Sequence, residues 1–75
     1  MFQKIRISNL VEGIGNSSTK LRGFSRYGPV VVTSSGSVLT VRINEKAVLM
    51  LPTLVPELSV AEILGLTGNM FEWDF

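Results

Sequence analysis

The sequence predicts a mainly β protein, a small barrel or sandwich of five to six short strands with one short helix near the C-terminus. Three observations support this fold class. Residues 2–8 alternate between two faces with the period of a strand. Two β-branched runs on either side of Gly36 have the pattern of a hairpin. Residues 58–65 carry the signals that start and stop a helix.

The first strand is expected over residues 2–8. Its two isoleucines, Ile5 and Ile7, share one face, while the basic side chains lie on the other with Phe2. Residues 12–19 read E-G-I-G-N-S-S-T, and two glycines among polar residues predict a loop. A weaker strand is expected over residues 20–24.

A hairpin is the clearest local prediction. Gly28-Pro29 begins a new element, and the runs 30–33 and 38–43 are its two arms. Residues 34–37 read S-S-G-S, where Gly36 supplies the positive φ of a tight turn. Leu39, Val41 and Ile43 share one face of the second arm.

A third strand is expected to continue this meander. Residues 44–46 interrupt the apolar pattern, and residues 47–51 resume it. Pro52 and Pro56 follow, and neither has a backbone N–H to donate to a neighbouring strand. The strand is therefore expected to end at Pro52.

One short helix is predicted over residues 59–64. Ser59 and Glu62 have the spacing of a capping box, in which each side chain accepts from the backbone N–H of the other. Leu58 is placed to pack on Ile63 across this start. Gly65 is expected to end the helix in a left-handed conformation.

The C-terminal residues predict a last strand with an aromatic face and an acidic face. Phe71, Trp73 and Phe75 alternate with Glu72 and Asp74. Such a strand can add to the edge of a neighbouring molecule's sheet, or it can close the protein's own barrel. Both alternatives stay open, and these five residues are the predicted partner-binding surface. The acidic pair is expected to face Lys4 and Arg6 on the first strand.

The length of 75 residues indicates a single domain, residues 1–75. A chain this short buries only about 60% of the surface of its unfolded form, so its core alone leaves a small margin of stability. Disulfides are excluded because the sequence has no Cys. We therefore expect a homo-oligomer or a part of a larger protein assembly.

The side-chain inventory argues against an enzyme. There is no His to act as a general base or to activate a serine, and no pair of the six carboxylates is placed for acid and base roles. We expect no catalytic residue, no metal, no cofactor and no small-molecule substrate.

The sequence also lacks the signals of membrane insertion and secretion. The longest apolar run, residues 47–51, is far shorter than the roughly 20 residues of a spanning helix. Lys4 and Arg6 stand where a secretory signal has its apolar stretch. The expected location is the cytoplasm or a virus particle.

Charge is divided unevenly along the chain. Residues 1–42 hold six of the seven basic residues, and residues 43–75 hold five of the six acidic ones. Three explanations are open: the halves neutralise each other within one fold, they attract neighbouring copies head to tail, or the basic half binds nucleic acid.

A second candidate site interleaves cationic and aromatic side chains within eight residues: Lys20, Arg22, Phe24, Arg26 and Tyr27. Cations neutralise phosphates and aromatic rings stack on bases, as in oligonucleotide-binding barrels. The alternative is that the two aromatic residues pack in the core or an interface, while the cations pair with Glu72 and Asp74.

The sequence therefore predicts a non-catalytic structural subunit that self-associates or decorates a larger particle, such as a virus particle. The alternative function is a small nucleic-acid-binding β-barrel.

Overall fold

The computed structural model describes residues 3–13 and 19–75, and it confirms the predicted fold class. Within these residues, six strands form one sheet that curls into a half-barrel, and one short helix lies near the C-terminus. The elements are β1 (Ile5–Glu12), β2 (Thr19–Ser25), β3 (Gly28–Ser35), β4 (Val38–Ile43), β5 (Lys46–Pro52), α1 (Val60–Thr67) and β6 (Phe71–Trp73). Within the described ranges, no helix is long and apolar enough to cross a bilayer.

The sheet is an antiparallel meander with one parallel strand added at its edge. The strand order is β5-β4-β3-β2-β1-β6, and each of the first five strands pairs with its neighbour in sequence. β6 returns beside β1 and runs parallel to it. The N-terminal and C-terminal strands are thus neighbours, and β5 and β6 are the two edges.

The first predicted strand is present but shifted, because β1 begins at Ile5 and residues 3 and 4 precede it. Ile7 is fully buried, whereas Lys4 and Arg6 are exposed on the opposite face. An irregularity follows Ser8, where Asn9 has a φ of 55°, and the strand then continues to Glu12. Of the residues predicted here, Phe2 lies outside the described residues.

The loop predicted over residues 12–19 is wrong at its two end residues, which belong to strands. Residue 12 is the last of β1 and residue 19 is the first of β2. Residues 14–18 lie outside the described part of the chain. The strand predicted over residues 20–24 is confirmed as part of β2.

The predicted hairpin is present, but its turn is narrower than expected. Only Gly36 and Ser37 form the turn, both with positive φ, as two-residue hairpins require. Ser34 and Ser35 instead belong to β3. A second turn of this kind, Asn44-Glu45, leads into β5 and confirms the third strand of the meander.

The core lies on the concave face of the sheet. Alternate residues of the central strands point inward and are buried, including Leu21, Val32 and Val41. The helix covers this face with Ile63, and Phe71 of β6 adds to the same cluster. Apolar burial of this kind is the main stabilising contribution to the fold.

The start of α1 is confirmed, and its predicted end is wrong. The Ser59 hydroxyl accepts from the N–H of Glu62, and the Glu62 carboxylate accepts from the N–H of Ser59 at 3.1 Å. This backbone hydrogen bond, together with one from the Ser59 hydroxyl, lowers the pKa of Glu62. The helix does not stop at Gly65 but continues to Thr67.

Tertiary contacts explain the extra turn of helix. Thr67 is fully buried, and its hydroxyl donates to the carbonyl oxygen of Ile63 at 2.7 Å. The indole N–H of Trp73 donates to this same hydroxyl at 2.9 Å. The contact with β6 therefore favours one more helical turn, although Gly65 is a poor helix former.

Candidate functional site

The two ends of the sheet present surfaces of different chemistry. The turn Arg26-Tyr27 and the start of β1 lie at one end, and the turn Gly36-Ser37 lies at the other. The eight residues of β3 between them span about 25 Å. Two distinct surfaces can therefore form on this small domain.

A groove of about 360 Å³ opens at the first end. It lies between the start of β1 and the turn that joins β2 to β3. Its lining includes Lys4, Arg6, Ser8, Phe24, Arg26 and Tyr27, and none of the described residues that line it is acidic. We call this surface the basic groove.

Two aromatic rings of the basic groove are accessible to solvent. Phe24 and Tyr27 are each 57% exposed. The Arg26 guanidinium lies 5.9 Å from the centre of the Tyr27 ring, within the range of a cation–π contact. Phe24 pairs across the sheet with Ser8 on one side and Pro29 on the other. Neither aromatic side chain belongs to the core cluster.

One cation of the basic groove is paired with an acid. Arg6 donates to the Asp74 carboxylate at 2.6 Å, and Glu72 lies opposite Arg6 in the register of β1 and β6. The hydrogen bond and the charge of Asp74, with a smaller effect from Glu72, raise the pKa of Arg6. The predicted approach of the acidic pair to the first strand is confirmed for Arg6.

The structure brings together three of the five residues predicted for nucleic-acid binding. Phe24, Arg26 and Tyr27 line the basic groove. Lys20 and Arg22 are not in its lining, but they precede Phe24 at alternate positions of β2 and therefore share its face of the sheet. Whether these five residues bind nucleic acid remains a prediction.

The aromatic side chains of residues 71–75, which we call the aromatic tail, are divided between the interior and the surface. In the single chain, β6 pairs with its own β1, where Ile5 and Ile7 lie opposite Phe71 and Trp73. Phe71 is buried, and its ring centre lies 5.2 Å from that of Trp73. Phe75 is 70% exposed. Partner binding by the tail stays a prediction, and Phe75 is its most accessible aromatic side chain.

The opposite end of the sheet carries exposed apolar side chains. Val38 begins β4 and pairs with Pro52, the last residue of β5. The chain then presents a fully exposed Leu54 and a partly exposed Val55 before Pro56. We call these five residues, Val38, Pro52, Leu54, Val55 and Pro56, the apolar end.

Hydrogen bonds hold the segment that carries Leu54. The N–H of Thr53 donates to the carbonyl oxygen of Ser37 at 2.8 Å, and the N–H of Ser37 donates to that of Pro56 at 3.2 Å. The Thr53 hydroxyl donates to the carbonyl oxygen of Val55 at 2.7 Å. Leu54 is therefore displayed on an ordered segment.

Two further contacts anchor the end of this segment. Glu57 accepts from the Thr19 hydroxyl at 2.8 Å. The N–H of Leu58 donates to the buried Ser34 hydroxyl at 2.7 Å. The segment between β5 and α1 is thus tied to both β2 and β3.

The sequence pattern groups three residues that line the basic groove, Phe24, Arg26 and Tyr27, whereas no prediction from the sequence concerns the apolar end. The prediction uses Pro52 and Pro56 only as the end of a strand, although two prolines flanking Leu54-Val55 also indicate a constrained, exposed loop. The turn predicted over residues 34–37 includes Ser34. The strict alternation of Val30, Val32 and Ser34 is the signal that places its hydroxyl on the buried face.

The described residues contain no group of three or more acidic side chains placed to hold a metal ion. Comparison with known proteins gave no match to this chain among the protein-family models, the curated proteins or the solved structures.

Proposed function

We propose that this protein is a non-catalytic structural subunit that self-associates through its apolar end. The observation that carries the proposal is Leu54, a large apolar side chain that is fully exposed on a segment held by hydrogen bonds. Burying a leucine side chain contributes about 1.5–3 kcal/mol. The ordered segment supports docking because little conformational freedom remains to be lost on binding.

A second copy of the chain is the partner that we propose for this surface. Val38, Pro52, Val55 and Pro56 are also exposed and apolar, and none of them carries a charge that would oppose contact between like surfaces. In a two-fold dimer the same patch is used by both copies, so each favourable contact occurs twice. Burial in the dimer would add to the small margin of stability of a 75-residue domain.

The wider setting that we propose is a larger particle, such as that of a virus. This part of the proposal is an analogy with the small β subunits that decorate or connect such particles, which commonly have no catalytic residues. In that setting the dimer would be the unit that is incorporated into the particle. The exposed Phe75 would then be available to a further protein of the particle.

Light scattering coupled to size-exclusion chromatography tests the proposal. We expect the wild type to have the mass of a dimer and Leu54→Asp to have that of a monomer, because a buried carboxylate pair would be strongly unfavourable. Circular dichroism should show that the variant remains folded, since Leu54 contributes nothing to the core.

Leu66→Asp is the matched control. Leu66 is 52% exposed on α1 and is not part of the apolar end. This variant should keep the mass of the wild type. A monomeric wild type, or a Leu54→Asp variant with unchanged mass, would contradict the proposal.

A further inference from the structure

We propose that the basic groove binds single-stranded nucleic acid, with an unpaired base stacked on Phe24 or Tyr27 and phosphates near Lys4 and Arg26. This inference goes beyond the proposed function and is independent of it. The groove lies at the end of the sheet opposite Leu54, so a dimer formed through the apolar end leaves it open.

The charge of the groove favours an anionic partner. Within residues 3–13 and 19–75, the one salt bridge joins Arg6 to Asp74. Lys4 and Arg26 are exposed, and no acidic side chain lines the groove beside them. Two cations therefore remain to neutralise phosphates, which is the main source of affinity for nucleic acids.

The aromatic rings specify the kind of anion. More than half of each of Phe24 and Tyr27 is exposed, although such large apolar groups are normally more buried. Their faces can stack on bases, and this stacking tolerates any sequence because every base has a π-face. Bases inside a duplex are already stacked on each other, so an unpaired strand is the form that fits.

Further cations extend from the groove along the outer face of the sheet. Lys20, Arg22 and Phe24 occupy alternate positions of β2, about 6.6 Å apart. Arg22 pairs with Val31 of β3, and Val31 pairs with Arg42 of β4, so these three residues form one row across the sheet. This arrangement gives a track of positive charge that leads away from the aromatic rings, as an extended phosphate backbone requires.

Fluorescence anisotropy with a labelled oligothymidylate of about 12 nucleotides tests the inference. We expect saturable binding at low salt, and a plot of log K against log salt concentration with a slope of about −0.7 for each phosphate contact. Lys4→Ala and Arg26→Ala should each make this slope less steep by about 0.7. Lys46→Ala is the control, because Lys46 is an exposed cation at the start of β5, outside the groove.

Aromatic variants separate base stacking from simple charge attraction. At least one of Phe24→Ala and Tyr27→Ala should weaken binding about 5- to 100-fold without changing the salt slope. Phe75→Ala removes an exposed aromatic side chain outside the groove and should bind as the wild type does. All three side chains are outside the core, so the variants should remain folded.

Three results would overturn the inference. One is the absence of binding at low salt, and another is unchanged affinity in both aromatic variants. The third is equal competition by polyglutamate of matched charge, which would indicate an acidic polypeptide as the partner. The Leu54→Asp variant should bind the oligonucleotide as the wild type does, so failure of the proposed self-association can be distinguished from failure here.

Discussion

The buried hydroxyl of Ser34 accepts a hydrogen bond from the backbone N–H of Leu58 at 2.7 Å. Both residues are almost completely buried, so no solvent molecule can replace the lost partner without rearrangement. The contact joins the end of β3, a central strand of the sheet, to the residue just before the helix cap. It therefore fixes where the chain crosses the concave face.

Ser34→Ala should lower the free energy of unfolding by about 1–3 kcal/mol, because it leaves the Leu58 N–H buried without an acceptor. Ser35→Ala is the matched control, since Ser35 is the exposed neighbour in the same strand. Chemical denaturation of both variants provides the measurement. Equal stability of the two would mean that the hydroxyl does not hold the helix start.

Two glycines should respond in opposite directions to alanine. A Cβ at Gly23 would lie 2.9 Å from Ile7 Cγ2, Leu10 Cδ1 and the Ser8 carbonyl oxygen, so Gly23→Ala should destabilise the fold through overpacking, by about 1–3 kcal/mol. A Cβ at Gly65 would meet nothing within 4 Å. Gly65→Ala should therefore stabilise the helix by about 0.5–1 kcal/mol. A melting temperature that shifts in the same direction in both variants would contradict this packing.

The capping box should make a pH-dependent contribution to stability. Ser59→Ala should cost about 1 kcal/mol through loss of the cap. The pKa of Glu62 is lowered by folding, so its ionised carboxylate stabilises the folded state above its ordinary pKa of 4.5, and the contribution disappears as pH falls through the folded value. The difference in stability between wild type and Glu62→Gln should therefore be present at neutral pH and vanish in acid. A difference that persists in acid would contradict the role of the charge.

Removing the tail should unfold the protein. Deletion of residues 71–75 removes the buried Phe71 and the Trp73 indole that donates to the buried Thr67. Each large side chain contributes about 1.5–3 kcal/mol when fully buried, which is a large share of the stability of a small domain. Deletion of Phe75 alone should leave a cooperative thermal transition. A cooperative transition in the longer truncation would instead indicate that the strand is not integral to this fold.

The elements that could be predicted from the sequence are those formed by interactions between residues close together in the chain. The alternation around Val41 and the positive-φ glycine of the turn act over a few residues, so the hairpin could be identified from them. The capping box was identified for the same reason. The end of the helix could not be, because Thr67 is held by Trp73, a contact between separate elements.

The candidate site shows the same division. Phe24, Arg26 and Tyr27 are close in sequence, and they line one groove in the structure. The segment that carries Leu54 is held by hydrogen bonds that join Ser37, in the turn of a hairpin, to Thr53 and Pro56. Contacts between residues so far apart in the sequence leave no periodic pattern in it. The apolar end could therefore be identified only from the folded structure.

The most direct test of self-association is the change in backbone amide chemical shifts of the ¹⁵N-labelled protein between dilute and concentrated solution. We predict concentration-dependent shifts centred on Val38, Leu54 and Val55, with the turn Arg26-Tyr27 unaffected. In the Leu54→Asp variant these shifts should disappear. Spectra that do not change with concentration, or changes confined to residues away from the apolar end, would contradict the proposal that this surface joins two copies of the chain.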